Sequence, residues 1–399
     1  MRVEIVKFDN NGRGIGYIND KIIFIPKTVP GDIVKVKIIL EKKNFIEGKL
    51  EEIITPSKIR KKAICPYFDV CGGCDLMHIS ISEMLEYKLN KVNDMLIKNN
   101  IDYKVEKITK SENPYNYRNK ISLKIVDKKI GFYENDSHKL VNIEHCNLCK
   151  EIINEMLEDI TLLNVNNGEI VIRSNYNEEI LLSINTEDEI LNIDKLVNKY
   201  KIVGIIKNDK CIYGENYFID KINNYLFKVS YNSFFQVNPY ICSKLFNLIE
   251  NNTKESNNVL DMYCGVGTLS LVSSTNAEKV VGVEILENAI KDANLNKSLN
   301  NKNNVEFICS DTKKIIGKIT GDFDTIILDP PRSGVSKKVI DKIIDVKTDK
   351  IIYVSCNPIT LVRDLNLFQD DYVIKEMQLL DMFPNTEHVE TFVVLEKRN

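Results

Sequence analysis

Three spacings of apolar and polar residues succeed one another along the chain, and each predicts a different architecture. Over residues 1–55, Ile33-Val34-Lys35-Val36-Lys37-Ile38 alternates apolar and basic side chains, the period of a half-buried strand. Gly12-Arg13-Gly14-Ile15-Gly16-Tyr17 and Val29-Pro30-Gly31-Asp32 supply turns. Short strands at such regular spacing predict a five-stranded barrel of oligonucleotide-binding type. Over 82–99 the period lengthens: Met84, Leu85, Leu89, Val92, Met95 and Leu96 fall at helical spacing behind Ser82 as cap. A strand from Ile121 to Val126 follows, and 150–230 reads as mixed α+β without a chemical motif. From Asn232 onward the apolar residues come in runs. Val259-Leu260, Val280-Val281-Gly282-Val283, Val305–Ile308, Thr325–Leu328 and Ile351–Val354 are separated by helical segments, which predicts a doubly wound parallel sheet. The expected organisation is therefore a barrel over 1–58, a central α+β domain over 59–233 and an α/β domain over 234–399, with the 82–99 helix packing on the last.

Composition changes this picture in a few places. The 399 residues are 43% hydrophobic, enough to bury several cores. A net charge of −3 gives no global attraction to nucleic acid, but residues 1–62 hold 14 Lys and Arg against 8 Asp and Glu. Lys35, Lys37, Arg13 and Tyr17 on the barrel suit phosphate contact and base stacking. Tyr115-Asn116-Tyr117-Arg118-Asn119-Lys120 interleaves aromatic and basic residues in a way that also suits a phosphate or a base, or equally an exposed strand edge. Met1-Arg2-Val3-Glu4 leads straight into a strand and no run of 18 apolar residues occurs, so neither a signal peptide nor a membrane span is expected. Ten cysteines then imply a cytoplasmic chain that uses thiols for metal binding or catalysis.

Cys65, Cys71 and Cys74 form a C-x5-C-x2-C cluster whose Gly72 and Gly73 let the backbone fold around a metal. Cys146 or Cys149 offers the fourth thiolate of a zinc or iron–sulfur site, and Cys71, Cys74, Cys146 and Cys149 together also make an acceptable zinc pattern.

The first strand of the parallel sheet runs into Asp261-Met262-Tyr263-Cys264-Gly265-Val266-Gly267, and the second ends at Glu284. A glycine turn followed by an acid at the next strand end is a nucleoside fingerprint. D-x-x-C-G-x-G lacks the glycine spacing of a dinucleotide site and the lysine of a triphosphate site. S-adenosylmethionine, a ribonucleoside with a sulfonium cation and no phosphate, fits better, with Glu284 on the ribose, Asp311 near the adenine and Asp261 at the amino-acid end. Cys356 ends the strand of Ile351–Val354 at the edge where such sheets bind ligands. Methylation of a pyrimidine C5 needs a thiolate adding to C6, a base to remove the C5 proton and donors for the oxyanion. Cys356 is the candidate nucleophile, and Glu390 in His388-Val389-Glu390, placed near the sheet edge, is the candidate base.

With G-x-G-x-G-Y, V-P-G-D, the cysteine cluster, F-x-Q-V-N, D-x-x-C-G-x-G, L-D-P-P-R, S-C-N-P and H-V-E in order, the chain resembles the bacterial RNA uridine-5 methyltransferases over essentially its whole length. The subgroup it resembles modifies 23S ribosomal RNA. The resemblance implies a TRAM-type barrel, a class I methyltransferase domain and a [4Fe-4S] cluster on Cys65, Cys71, Cys74 and Cys146, with zinc as the alternative. It further implies S-adenosylmethionine bound by Gln236, Tyr263, Glu284 and Asp329 with Asp311 near the adenine, and Phe234 stacking near a target base flipped into the pocket. Cys356 is the implied nucleophile and Glu390 the implied base. The expected partner is 23S ribosomal RNA, with no obligate protein partner and a monomeric chain. A transfer-RNA enzyme of the same family is the rival reading, opposed on the ground that such enzymes typically lack the barrel and cluster. A non-catalytic RNA-binding assembly factor and a DNA cytosine methyltransferase are opposed by the intact site residues and by the absence of a Pro-Cys motif.

Overall fold

The computed structural model describes residues 1–135, 137–315 and 323–398. At the N-terminus six short strands, rather than five, form one sheet in the order Arg2–Glu4, Ile33–Glu41, Phe45–Thr55, Lys21–Ile25, Gly14–Ile18, Lys7–Phe8. Val3, Ile23, Ile25, Val34, Val36 and Ile46 fill its interior, while Lys35 and Lys37 on the alternate face are exposed. Buried Asp32 anchors this unit to the segment that follows. It accepts from the Val29 and Ser57 amides at 2.9 Å each and pairs with Arg60 at 2.6 Å.

A seven-stranded sheet over Lys120–Gly214 carries the central core, with the helix Glu151–Asp159 packed on it. The eight-stranded C-terminal sheet runs Val305–Cys309, Lys279–Glu284, Asn258–Asp261, Thr325–Leu328, Lys350–Ser355, Glu390–Lys397, Tyr372–Leu380, Ile108–Thr109. Its first five strands are parallel, and the inner ones are buried on both faces, as their continuous apolar runs require, whereas Val305–Cys309 is a half-exposed edge strand. Glu390–Lys397 is not at the edge of this sheet: it pairs antiparallel between Lys350–Ser355 and Tyr372–Leu380. The true edge is the two-residue strand Ile108–Thr109, drawn from far upstream.

The upstream helix spans Ile81–Lys98, and its cap is Ser80, whose Oγ accepts from the Glu83 amide at 3.2 Å; Ser82 lies inside the first turn. Its buried stripe is Met84, Tyr87, Lys88, Lys91, Val92, Met95 and Leu96, an unbroken i, i+3, i+4 repeat that includes two lysines. Val92, Met95 and Leu96 join the core of the C-terminal sheet. Lys88, fully buried, meets Asp381 at 2.6 Å and the Phe383 carbonyl at 3.0 Å, and Lys91 meets the Glu387 carboxylate and carbonyl. The helix is thus fastened to the loop that leads into Glu390. No described helix is long and apolar enough to cross a membrane.

Candidate active site

The carboxyl edge of the parallel strands carries an acid at each of three strand ends: Asp261, Glu284 and Asp329. Cys356 follows Ser355 at the same edge, one residue before Asn357 caps the helix Pro358–Phe368. Ser355 pairs with Thr391 in antiparallel register, and the Thr391 hydroxyl donates to the Ser355 carbonyl at 2.8 Å. Glu390 and Cys356 are the next residues beyond that pair, and the Glu390 charge acts on the thiol. The two thus stand at the ends of neighbouring strands.

Glu390 is only 3% exposed. Burial and the nearby Asp329 push its pKa well above the ordinary carboxylate value, against the pull of Arg332. The Cys356 thiol keeps some surface, and burial, Glu390 and Asp329 push it up to about 11 while the nearby Arg332 opposes them. Although Asp329 leaves part of its surface open, burial of its carboxyl and the nearby Asp261 push it to about 7, and no cation acts on it among the described residues. Asp261 is wholly buried and pushed to about 6 by that burial, with Glu284 adding repulsion. Its Oδ2 accepts from the Ser270 hydroxyl at 2.6 Å, but Oδ1 has no partner. An edge this acidic, with an orphaned acceptor, fits a cationic ligand and repels a phosphate-bearing one.

The loop between these acids is open where a ligand must approach. Gly265 has φ 53° and a Cβ there would meet nothing within 4 Å; Gly267, at φ 85°, could not take one without striking Phe307 at 2.6 Å. The Gly265 amide donates to Glu284 at 3.3 Å, and Glu284 also accepts from the Ile285 and Leu286 amides, which fixes its carboxylate. Half-buried Tyr263 lies beside Thr312 and within charge range of Asp311. Tyr263, Glu284 and Asp311 thus gather around one loop. Gln236 sits apart from it, partly exposed, on a segment held by Asn119, whose side-chain amide donates to the Gln236 carbonyl and whose backbone amide donates to the Val237 carbonyl, both at 3.1 Å. Phe234, two residues earlier, is 74% exposed. Asn238 then caps the helix Pro239–Asn252, whose buried Cys242 feels the charges of Asp329 and Glu390.

Two participants were not singled out from the sequence. Arg332 stood there only as the last letter of a motif; its backbone carbonyl is gripped by the Asn357 side-chain amide at 2.9 Å and the Thr360 hydroxyl at 3.2 Å, so the cap of the Cys356 helix positions it. The other is the N-terminal unit. Asn10 and Asn11 join Lys91, Arg332, Cys356 and His388 in lining an open cleft of ≈ 180 Å³ over the thiol. No sequence signal marks that pair.

Cys65, Cys74 and Cys146 pack with Phe68, Met77, Tyr117 and Leu148, and Cys71 lies within charge range of Cys146, Cys65 and Cys74. Burial raises the thiols of Cys65, Cys71 and Cys74, while the neighbouring Cys149 lowers that of Cys146. The Lys27 ammonium donates to the Cys71 and Cys74 carbonyls, and Arg118 stands near Cys146. Among the described residues no three Cys, His, Asp or Glu side chains converge closely enough to chelate a single ion. The four thiols lie near one another, with two cations beside them.

Residues 80–398 match the family described as tRNA (Uracil-5-)-methyltransferase, and residues 1–50 match the TRAM domain. A Clostridium tetani protein described as an uncharacterized RNA methyltransferase is 37% identical over 98% of this chain and 95% of its own, and one from Bacillus cereus is 33% identical over 97% and 94%. The crystal structure of Pyrococcus abyssi tRNA (uracil-54, C5)-methyltransferase in complex with S-adenosyl-L-homocysteine superposes with a TM-score of 0.84 at 27% identity, covering 99% of this chain and 100% of that one. The expectation that a transfer-RNA enzyme lacks the barrel therefore fails for that protein.

Proposed function

The chain belongs to the tRNA (uracil-5-)-methyltransferase family and is an S-adenosylmethionine-dependent RNA methyltransferase; from that premise we propose that it methylates C5 of uridine in 23S ribosomal RNA through a covalent intermediate on Cys356. What supports the reading is the antiparallel pairing of Ser355 with Thr391, which brings the next residues, Cys356 and Glu390, to the same acidic edge. S-adenosylmethionine supplies an electrophilic methyl group and a sulfonium cation. Asp261 and Asp329 supply the negative surroundings such a cation needs, Glu284 holds the ribose, and Tyr263, Asp311 and Gln236 complete the pocket. Phe234 stacks near the target base. The Cys356 sulfur bonds to C6, the C4 oxygen takes the electron pair as an enolate, and C5 uses that pair to accept the methyl group. Glu390 then removes the C5 proton, and the electrons of that C–H bond expel the thiolate from C6. Arg332 favours the charged forms of both Cys356 and Glu390. Cys65, Cys71, Cys74 and Cys146 hold a [4Fe-4S] cluster that cross-links the central domain, with zinc on Cys71, Cys74, Cys146 and Cys149 as the alternative.

The P. abyssi enzyme favours transfer RNA as a second reading. Transcripts of 23S ribosomal RNA and of transfer RNA, each made with 5-fluorouridine, separate the two. Fluorine cannot leave as a cation, so the substrate forms an adduct that survives denaturing gels, and Cys356→Ala abolishes it. An adduct with the transfer RNA alone replaces the target. An adduct that persists in Cys356→Ala removes the nucleophile.

A further inference from the structure

Away from the acidic edge, the central sheet holds a pair of charges with the wrong sign for its position. Arg173 and Lys120 stand directly opposite each other in the antiparallel pairing of Gly168–Ser174 with Lys120–Val126. Like charges in that position repel. Four residues along the same strands the equivalent pair is Lys124 with Glu169, in direct contact, so the sheet places opposite charges there and not here. Arg173 is only 4% exposed; its Nη2 donates to the Ser233 carbonyl at 2.6 Å, and its Nε has no partner. Lys120 is half-buried, and among the described residues neither cation forms a salt bridge. Burial, Arg173 and Arg118 push the Lys120 ammonium down to about 8. Arg118 adds a third cation, also with an unpartnered buried Nε, although it faces the Cys146 and Cys149 thiols as well. A buried charge without a counter-charge is strongly destabilising, so this arrangement is incomplete in the free protein.

Its position says what completes it. The Ser233 carbonyl held by Arg173 directly precedes exposed Phe234, and Asn119, adjacent to Lys120, holds Gln236 and Val237. The cations therefore sit against the segment that presents Phe234. We propose that Lys120 and Arg173, assisted by Arg118, form a site for a backbone phosphate of the substrate RNA beside the target nucleotide. The site rests on the reading of the chain as an enzyme that takes its base from RNA, but not on which residue attacks that base. Arg173 has a second task in holding Ser233, so Lys120 is the residue to perturb.

The test measures binding of fluorescein-labelled 23S ribosomal RNA and transfer-RNA transcripts to the full chain over a series of KCl concentrations. Lys120→Ala should raise Kd about tenfold for both transcripts and lower the salt slope by about 0.7, since a phosphate contact reads no sequence. Lys120→Arg should restore both. The thermal midpoint of the RNA-free protein should hold or rise in Lys120→Ala, because a repulsion has been removed. Unchanged RNA affinity and slope would overturn the proposal. So would loss confined to S-adenosylmethionine binding, which would assign the cations to the methionine carboxylate instead. Cys356→Ala serves as the control: it tests the nucleophile and should bind RNA normally, so failure of either idea is seen separately.

Discussion

The acidic edge predicts that S-adenosylmethionine binding is coupled to proton release. Asp329 and Asp261 have pKa values pushed to about 7 and about 6, mainly by burial, and among the described residues no cation acts on Asp329. Both values lie above that of an unfolded aspartate, so the folded, cofactor-free protein binds the extra protons. Its stability from these groups is greatest below about pH 4 and is lost as pH rises through about 6 to 7. A cationic ligand reverses the balance by favouring the ionised carboxylates. If only ionised Asp329 binds it well, Kd should be about tenfold weaker at pH 6 than at pH 8, or ~1.4 kcal/mol, and Asp261 adds a factor of about two. Isothermal titration calorimetry in two buffers of different ionisation enthalpy reads Kd and released protons together. Asp329→Asn should weaken binding at pH 8 and remove most of the pH dependence. A Kd constant across this range, with no proton exchange in the wild type, would show that these carboxyls do not face the cofactor's charge.

Three shorter predictions follow from other parts of the molecule. With its thiol at about 11, Cys356 should react with iodoacetamide far more slowly at neutral pH than exposed Cys211 and Cys309, as peptide mass spectrometry can count; equal rates would refute the shift. Lys88→Met leaves Asp381 buried without a counter-charge, with its Oδ2 already unpartnered, and should cost about 3–5 kcal/mol, whereas Lys88→Met with Asp381→Leu should recover most of it in denaturant titrations. Purified without oxygen, the chain should be brown with about four irons per molecule, and Cys65→Ser should lose them; a colourless protein with one zinc supports the Cys149-containing alternative.

The parallel strands were legible because a strand buried on both faces must be a continuous apolar run, and Ile351–Val354 is one. The helix over Ile81–Lys98 was legible as a helix, but its inner face was not. Leu85 and Leu89 pack, partly buried, against the cores as their chemistry suggests, but Lys88 and Lys91 are buried beside them. Lysines on a helix normally mark the solvated side, and only Asp381 and Glu387, nearly three hundred residues away in the chain, reverse that. The edge strand Ile108–Thr109 is too short to show a period at all. Arg332 and Arg173 escaped for the same reason, and Lys120 was legible only as part of a basic, aromatic segment: what distinguishes them is the residue opposite, which spacing along one strand does not contain.

The proposed pairing of Cys356 with Glu390 depends on the last strand's direction more than on its sequence. Cys356 ends a strand of six residues, Lys350–Ser355, and Glu390 begins its neighbour. In a wholly parallel sheet the first residue of that neighbour would lie at the amino edge, roughly 20 Å from the thiol at about 3.3 Å per residue. Running Glu390–Lys397 antiparallel brings its first residue to the carboxyl edge, beside Cys356 and among Asp261, Glu284 and Asp329. The same reversal leaves Glu390 buried, since Tyr372–Leu380 covers its other side with Leu380 directly paired to it. A carboxylate on an exposed edge strand would keep an ordinary pKa and would sit ionised whether or not substrate were present. Enclosed between two strands, its charge is set by burial, by Asp329 and by Arg332.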